Sequence, residues 1–123
     1  MTILLIEDDP LLIDIYSTKL KESGFEVTVA EDGEKGLKSL EGAMPDLVLL
    51  DIVLPKQNGW EVLSKIRQND RFKGLKVVLL SNLGQKEEIE KGLSLGADRY
   101  LIKAHFTPTQ VVQEIQKLLT TNN

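Results

Sequence analysis

Four short apolar runs in this sequence each end at a chemically active side chain. Glu7 and Asp8 follow Ile3–Ile6, Asp51 follows Leu47–Leu50, Ser81 follows Val77–Leu80, and Lys103 follows Tyr100–Ile102. If the runs are parallel strands, these side chains gather outside the carboxyl edge of one sheet, where open α/β sheets bind their ligands. Three carboxylates held that close repel one another and retain protons unless a divalent cation neutralises them. The donors are oxygens alone, which favours a hard ion. A few carboxylates completed by water suit Mg²⁺ better than Ca²⁺, and Mn²⁺ can substitute.

A cation beside a carboxylate, with an ammonium and a hydroxyl close by, resembles the apparatus that stabilises a transferring phosphoryl group. Asp51 is the best placed nucleophile, because it ends a wholly apolar run between the acidic pair and Lys103. The product of its attack would be an aspartyl phosphate.

The elements that must position these residues are legible as well. Five β-like runs, the four above and Phe25–Ala30, alternate with five helix-like segments, the mark of a parallel sheet covered on both faces. Leu47–Leu50 and Val77–Leu80 are wholly apolar, as central strands buried on both faces should be, whereas Phe25-Glu26-Val27-Thr28-Val29 alternates like an edge. Asp9-Pro10 supplies an N-cap and a first-turn proline, and Gly24 closes the helix they open. Thr107-Pro108-Thr109-Gln110 is a capping box ahead of the stripe Val111, Val112, Ile115, Leu118 and Leu119, and Thr120–Asn123 reads as a frayed end.

The 123 residues suit one domain filling positions 1–123, with 41% hydrophobic and 28% charged residues inside the globular range. A net charge of −4 and scattered basic residues argue against nucleic acid as a partner. The short apolar start is no signal peptide, no run is long enough to span a bilayer, and the absence of cysteine fits a reducing compartment. The expectation is a cytoplasmic protein with no membrane partner.

Together the segments Ile6-Glu7-Asp8-Asp9, Leu50-Asp51-Ile52-Val53-Leu54-Pro55, Asn58-Gly59, Leu80-Ser81 and Asp98-Arg99-Tyr100-Leu101-Ile102-Lys103 resemble a response-regulator receiver domain over about residues 2 to 119. Each motif is weak alone; five in order at the expected strand ends are specific. The resemblance implies a five-stranded doubly wound sheet in the order 2-1-3-4-5 with five helices, a flavodoxin-like arrangement. It implies Mg²⁺ bound directly by Asp8 and Asp51, through water by Glu7, and by the backbone carbonyl of Val53. Asp51 would take the phosphoryl group, Ser81 would hydrogen-bond it, Lys103 would pair with it, and Tyr100 would be the rotating aromatic of the switch.

The family further implies a phosphohistidine donor on a histidine kinase or phosphotransfer protein, and catalysis limited to the domain's own phosphorylation and slow dephosphorylation. Phosphorylation would bias the helix Gln85–Ser94, weakened by Gly92 and holding only Ile89 and Leu93 as its apolar stripe. A downstream protein would read the surface of that helix, the fifth strand and the last helix, or the same surface would mediate a phosphorylation-dependent dimer of an otherwise monomeric chain. A chain ending at Asn123 would signal by protein contact unless it belongs to a longer one.

Two positions depart from the pattern. Ala104 replaces the usual proline after the lysine, so a trans Lys103–Ala104 bond is expected, because a non-proline cis bond costs about 3–4 kcal/mol. Asn82 replaces a small residue and narrows access to Asp51. Other residues have ordinary readings: Asp9 caps a helix, Trp60 anchors packing, His105 is a solvated loop residue, and Tyr100 could be a fixed core side chain. The alternatives are a receiver-like docking module that is never phosphorylated, a Mg²⁺ phosphohydrolase and a flavin or dinucleotide carrier. The phosphohydrolase lacks its Asp-x-Asp pattern on the first strand, and the carrier lacks a glycine- or hydroxyl-rich loop.

Overall fold

A computed structural model describes residues 1–120. Five strands, β1 (Thr2–Ile6), β2 (Glu26–Ala30), β3 (Leu47–Leu50), β4 (Lys76–Ser81) and β5 (Arg99–Ile102), alternate with helices α1 (Pro10–Glu22), α2 (Gly33–Gly42), α3 (Gly59–Gln68), α4 (Lys86–Ser94) and α5 (Pro108–Thr120). The strands form one parallel sheet in the order β2-β1-β3-β4-β5. The expected fold and strand order are those observed.

Side-chain alternation along the strands divides the core into two layers. Leu4, Ile6, Val48, Leu50, Val77 and Leu79 face one side, under Leu40 of α2 and Val62, Leu63 and Ile66 of α3. Ile3, Leu5, Leu47, Leu49, Val78, Leu80 and Leu101 face the other, against Tyr16 and Leu20 of α1 and Val111, Val112, Ile115 and Leu118 of α5. Each of these side chains, taken fully from water, contributes about 1.5–3 kcal/mol before chain entropy is charged against it. Both layers therefore grip the central strands, and Asp51 emerges from the most firmly held of them.

Several boundaries follow the capping chemistry. The carboxylate of Asp9 accepts the Leu11 N–H at 2.9 Å, Gly24 turns the chain out of α1 with φ of 93°, and Thr107 and Gln110 cap each other's backbone N–H at 3.1 and 2.9 Å. Other details differ from expectation. Ser81 is the last residue of β4 rather than the first beyond it, and Lys103–His105 forms a 3-10 turn. Thr120 is not frayed but ends α5, its hydroxyl donating to the Gln116 carbonyl at 2.8 Å; residues 121–123 lie outside the described residues. The Lys103–Ala104 bond is trans, as expected.

The reading of α4 needs the largest correction. Leu93 is 47% exposed and belongs to no packed stripe, while Gly92 is the residue of α4 buried against the sheet. A Cβ at Gly92 would lie 2.7 Å from Leu79 Cδ1 and 2.8 Å from Tyr100 Cδ2, so this glycine permits close approach rather than merely softening the helix. At the opposite edge of the sheet, Arg67 fastens the loops: its guanidinium donates to the carbonyls of Gly96, Phe72 and Leu75 at 2.9, 3.2 and 2.8 Å, and pairs with Asp98 at 3.2 Å.

Gly59 shows how tightly the loop after β3 is set. Its N–H donates to the Ile52 carbonyl at 2.7 Å, and a Cβ there would lie 2.4 Å from the Asp51 carbonyl oxygen. Gly59→Ala is expected to cost about 1–3 kcal/mol in urea unfolding, because backbone must move to admit the methyl group. Gly42→Ala, with nothing within 4 Å of the added atom, is expected instead to gain about 0.4–1 kcal/mol.

Candidate functional site

The carboxyl ends of β1 and β3 hold the acidic side chains through backbone pairing that continues past the strands. The Glu7 N–H donates to the Ala30 carbonyl at 3.1 Å, and the Asp51 N–H to the Ile6 carbonyl at 3.0 Å. Their side chains converge as the strand-end positions require. Glu7, Asp8 and Asp51 each offer a carboxylate oxygen within 4.8 Å of the others, a spacing that one small cation can bridge. No imidazole or thiolate enters the group, so the donor set fits the hard oxygen-seeking ion expected from the sequence.

Lys103 reaches the same pocket from the turn after β5. Its ammonium donates to Glu7 Oε1 at 2.9 Å and to Asp51 Oδ2 at 3.0 Å, with all three side chains largely out of solvent. The other oxygens are engaged too: Glu7 Oε2 accepts the N–H groups of Asp8 and Asp9 at 3.1 Å each, and Asp51 Oδ1 accepts the Ile52 N–H at 2.7 Å. Burial pushes the Glu7 carboxyl above its ordinary value; the Lys103 hydrogen bond works against this rise and the Asp51 charge adds to it. Burial alone would lower Lys103, but its hydrogen bond to Glu7 and the charge of Asp51 outweigh burial and hold the ammonium above its ordinary range. The lysine stays charged, and the acids share its charge.

Ser81 is buried at the end of β4, and its hydroxyl oxygen accepts the Leu83 N–H at 3.2 Å. The Leu83 carbonyl accepts the Tyr100 hydroxyl. One loop residue is thus held at its N–H by the serine and at its carbonyl by the tyrosine. The half-buried Tyr100 has its phenol raised by burial first and by Glu88 next, against the Ser81 hydroxyl. Its ring lies under Gly92, so it contacts the serine's loop and α4 together.

Val53 stands in the loop after β3 and is 64% exposed, beside the site but outside the carboxylate group. Asn82 and His105 are exposed, and Asp9 serves as the cap already described. Sequence reasoning missed three features. The direct Lys103–Glu7 pair joins residues 96 apart, a separation no local pattern encodes. Leu83 participates through its backbone, which side-chain type does not reveal. Trp60 carries the Lys91 ammonium 4.5 Å from its ring centroid; neither residue type announces the pairing.

Comparison with known proteins agrees with this fold. Residues 3–116 match the family model described as response regulator receiver domain. The DNA-binding dual master transcriptional regulator RpaA of Synechocystis is 37% identical over 95% of this chain and 48% of its own length. The chain spans about half the length of the curated relatives it matches. A CheY-like receiver domain protein from Methanospirillum hungatei superposes with a TM-score of 0.88 at 30% identity, covering 96% of this chain and 92% of the other. The Mn²⁺-bound form of response regulator Rcp1 does so with a TM-score of 0.87 at 30% identity, covering 99% and 96%.

Among the described residues no helix is long and apolar enough to cross a membrane. Replacing Asp8, the exposed member of the acidic group, is expected to separate binding from stability. Asp8→Ala should lower divalent affinity at least roughly tenfold in a titration followed calorimetrically, while leaving metal-free stability unchanged or higher, since it relieves repulsion.

Proposed function

The chain belongs to the response regulator receiver family of two-component signalling, and from that premise we propose that Asp51 accepts a phosphoryl group from a phosphohistidine, with Mg²⁺ beside it. The observation that carries this is the convergence on Asp51: Lys103 Nζ at 3.0 Å on one side, and ligating oxygens of Glu7 and Asp8 within 4.8 Å on the other. Asp8 and Asp51 would hold the ion directly, Glu7 through water, and Val53 through its backbone carbonyl. Bound there, Mg²⁺, or Mn²⁺ in its place, supplies positive charge toward the phosphoryl oxygens.

The residues of the chain do the rest. An oxygen of the Asp51 carboxylate forms the new bond to phosphorus as the phosphorus–nitrogen bond of the donor breaks and the imidazole leaves. The Ile52 N–H, which already bonds Asp51 Oδ1, fixes the carboxylate's orientation. Lys103 moves its charge from Asp51 Oδ2 toward a phosphoryl oxygen while its contact with Glu7 retains it in the pocket. The contact Ser81 makes with Leu83 uses its oxygen as acceptor, which leaves its hydroxyl proton to turn from Tyr100 toward a phosphoryl oxygen. Drawing the serine toward the phosphoryl group pulls on Leu83, and through the Leu83 carbonyl on Tyr100 and the seat of α4. Phosphorylation thereby shifts α4 from the position described.

In this reading residues 1–123 act as one receiver unit, served by a histidine kinase or histidine phosphotransfer protein. A downstream protein, or a second receiver in a phosphorylation-dependent dimer, reads α4, β5 and α5. Incubation with acetyl phosphate and Mg²⁺ should add the mass of one phosphoryl group to the intact protein, and Asp51→Asn should add none. An unmodified wild type would instead favour a docking module that works without phosphorylation.

Two apolar side chains border the route by which water reaches the acyl phosphate: exposed Val53 and half-buried Leu83. Self-hydrolysis is therefore expected to be slow. Replacing both by polar residues should accelerate loss of the phosphoryl group in a time course followed by mass, and an unchanged rate would remove them from the account.

A further inference from the structure

The α4 helix is attached to the domain at few points. Its one buried residue is Gly92, Ile89 is half-buried, and Lys86, Glu87, Glu90 and Leu93 face solvent. By contrast α3 is fixed: Val62, Leu63 and Ile66 are fully buried, its first turn is closed by a reciprocal Asn58–Glu61 cap, and Gly59 is pressed on the peptide of Asp51. Trp60, the next residue, sits at the mouth of a groove of about 390 Å³ between α3 and α4 that Ser64, Gln68 and Leu95 also line. Lys91 reaches across that groove to place its ammonium over the indole ring.

Lys91 and Gly92 are consecutive, so α4 has two adjacent ties with different destinations. Gly92 leads to Tyr100, and so to Leu83 and Ser81. Lys91 leads to Trp60, and one residue further to the backbone of Asp51. We infer that the Lys91–Trp60 contact is a latch holding α4 to the phosphoacceptor loop by a route separate from Ser81 and Tyr100, and that it sets how much phosphoryl-site occupancy is needed to move α4. This rests on the phosphorylation reading above. A ligand shifts a two-state element only by its differential affinity, and whatever stabilises one position taxes ligands that favour the other. The latch stabilises the α4 position described, and therefore opposes loading.

Lys91→Met keeps an apolar stem against the indole and removes only the charge. The full chain is titrated calorimetrically with beryllofluoride in saturating Mg²⁺, with Trp60 emission read in parallel. A cation over a partly exposed indole is worth enough to shift an equilibrium about two- to fivefold, so Lys91→Met should bind beryllofluoride about two- to fivefold more tightly than wild type. Lys91→Arg, which keeps the cation, and Lys21→Met, on α1, should match wild type. In a Trp60→Leu background, Lys91→Met should have no further effect.

Loading should also change Trp60 emission in the wild type, and that change should be lost in Lys91→Met. Equal affinity of wild type and Lys91→Met, weaker binding by the variant, or an emission change that survives it, each with normal wild-type loading, overturns the latch alone. Failure of the wild type to bind beryllofluoride overturns the phosphorylation reading and the latch with it.

Discussion

The ammonium of Lys103, wedged between Glu7 and Asp51, is the contact on which the site's geometry depends. Two carboxylates cannot be buried side by side without compensating charge, and removing one partner of such a buried pair typically costs about 3–5 kcal/mol. Here the compensation comes from the far end of the chain, carried by the turn after β5 to the ends of β1 and β3. A parallel sheet makes this possible: every strand points the same way, so residues 7, 51 and 103 all emerge at one edge, and the turn after β5 carries Lys103 across to the other two. The pocket is electrostatically poised because its acids share one cationic neighbour, and an arriving cation or phosphoryl group has to renegotiate that sharing.

Much of this was legible in the sequence for a physical reason. The wholly apolar runs Leu47–Leu50 and Val77–Leu80 announce central strands, and the residues terminating them are placed by the sheet whatever the loops do. Asp9, Gly24 and Thr107–Gln110 act locally, through caps and a left-handed turn, so neighbouring residues suffice to predict them. Relations formed across the chain were not legible. The Lys103–Glu7 pair, the double hold on Leu83 and the stacking of Lys91 on Trp60 depend on how distant loops settle. Gly92 differs more subtly: its type predicts a propensity penalty, whereas its role lies in the Tyr100 ring beneath it.

Cohesion is unevenly spread over the molecule. At the amino-terminal edge of the sheet, Arg67 ties three carbonyls and Asp98 together, and Asp98 also accepts the Val77 N–H at 2.8 Å, locking β4, β5 and the end of α3 into one unit. At the carboxyl-terminal edge the loop after β4 is held through Leu83, and α4 is seated by Gly92, half-buried Ile89 and Lys91. Elements that must move are drawn from the weakly held end of a structure, so the sheet divides into a fixed base and a responsive rim. The chemistry occupies the rim, with the nucleophile's own strand rooted in the base.

The adjacency of Gly59 and Trp60 carries an evolutionary corollary. One position admits no side chain, because the Asp51 carbonyl fills the space; the next packs partly against the core and borders the groove that Lys91 spans. Substitution at the second position, or at its partner Lys91, could retune responsiveness without touching the residues that react. Descendants of such a protein are therefore free to diverge in sensitivity while inheriting an identical reaction centre.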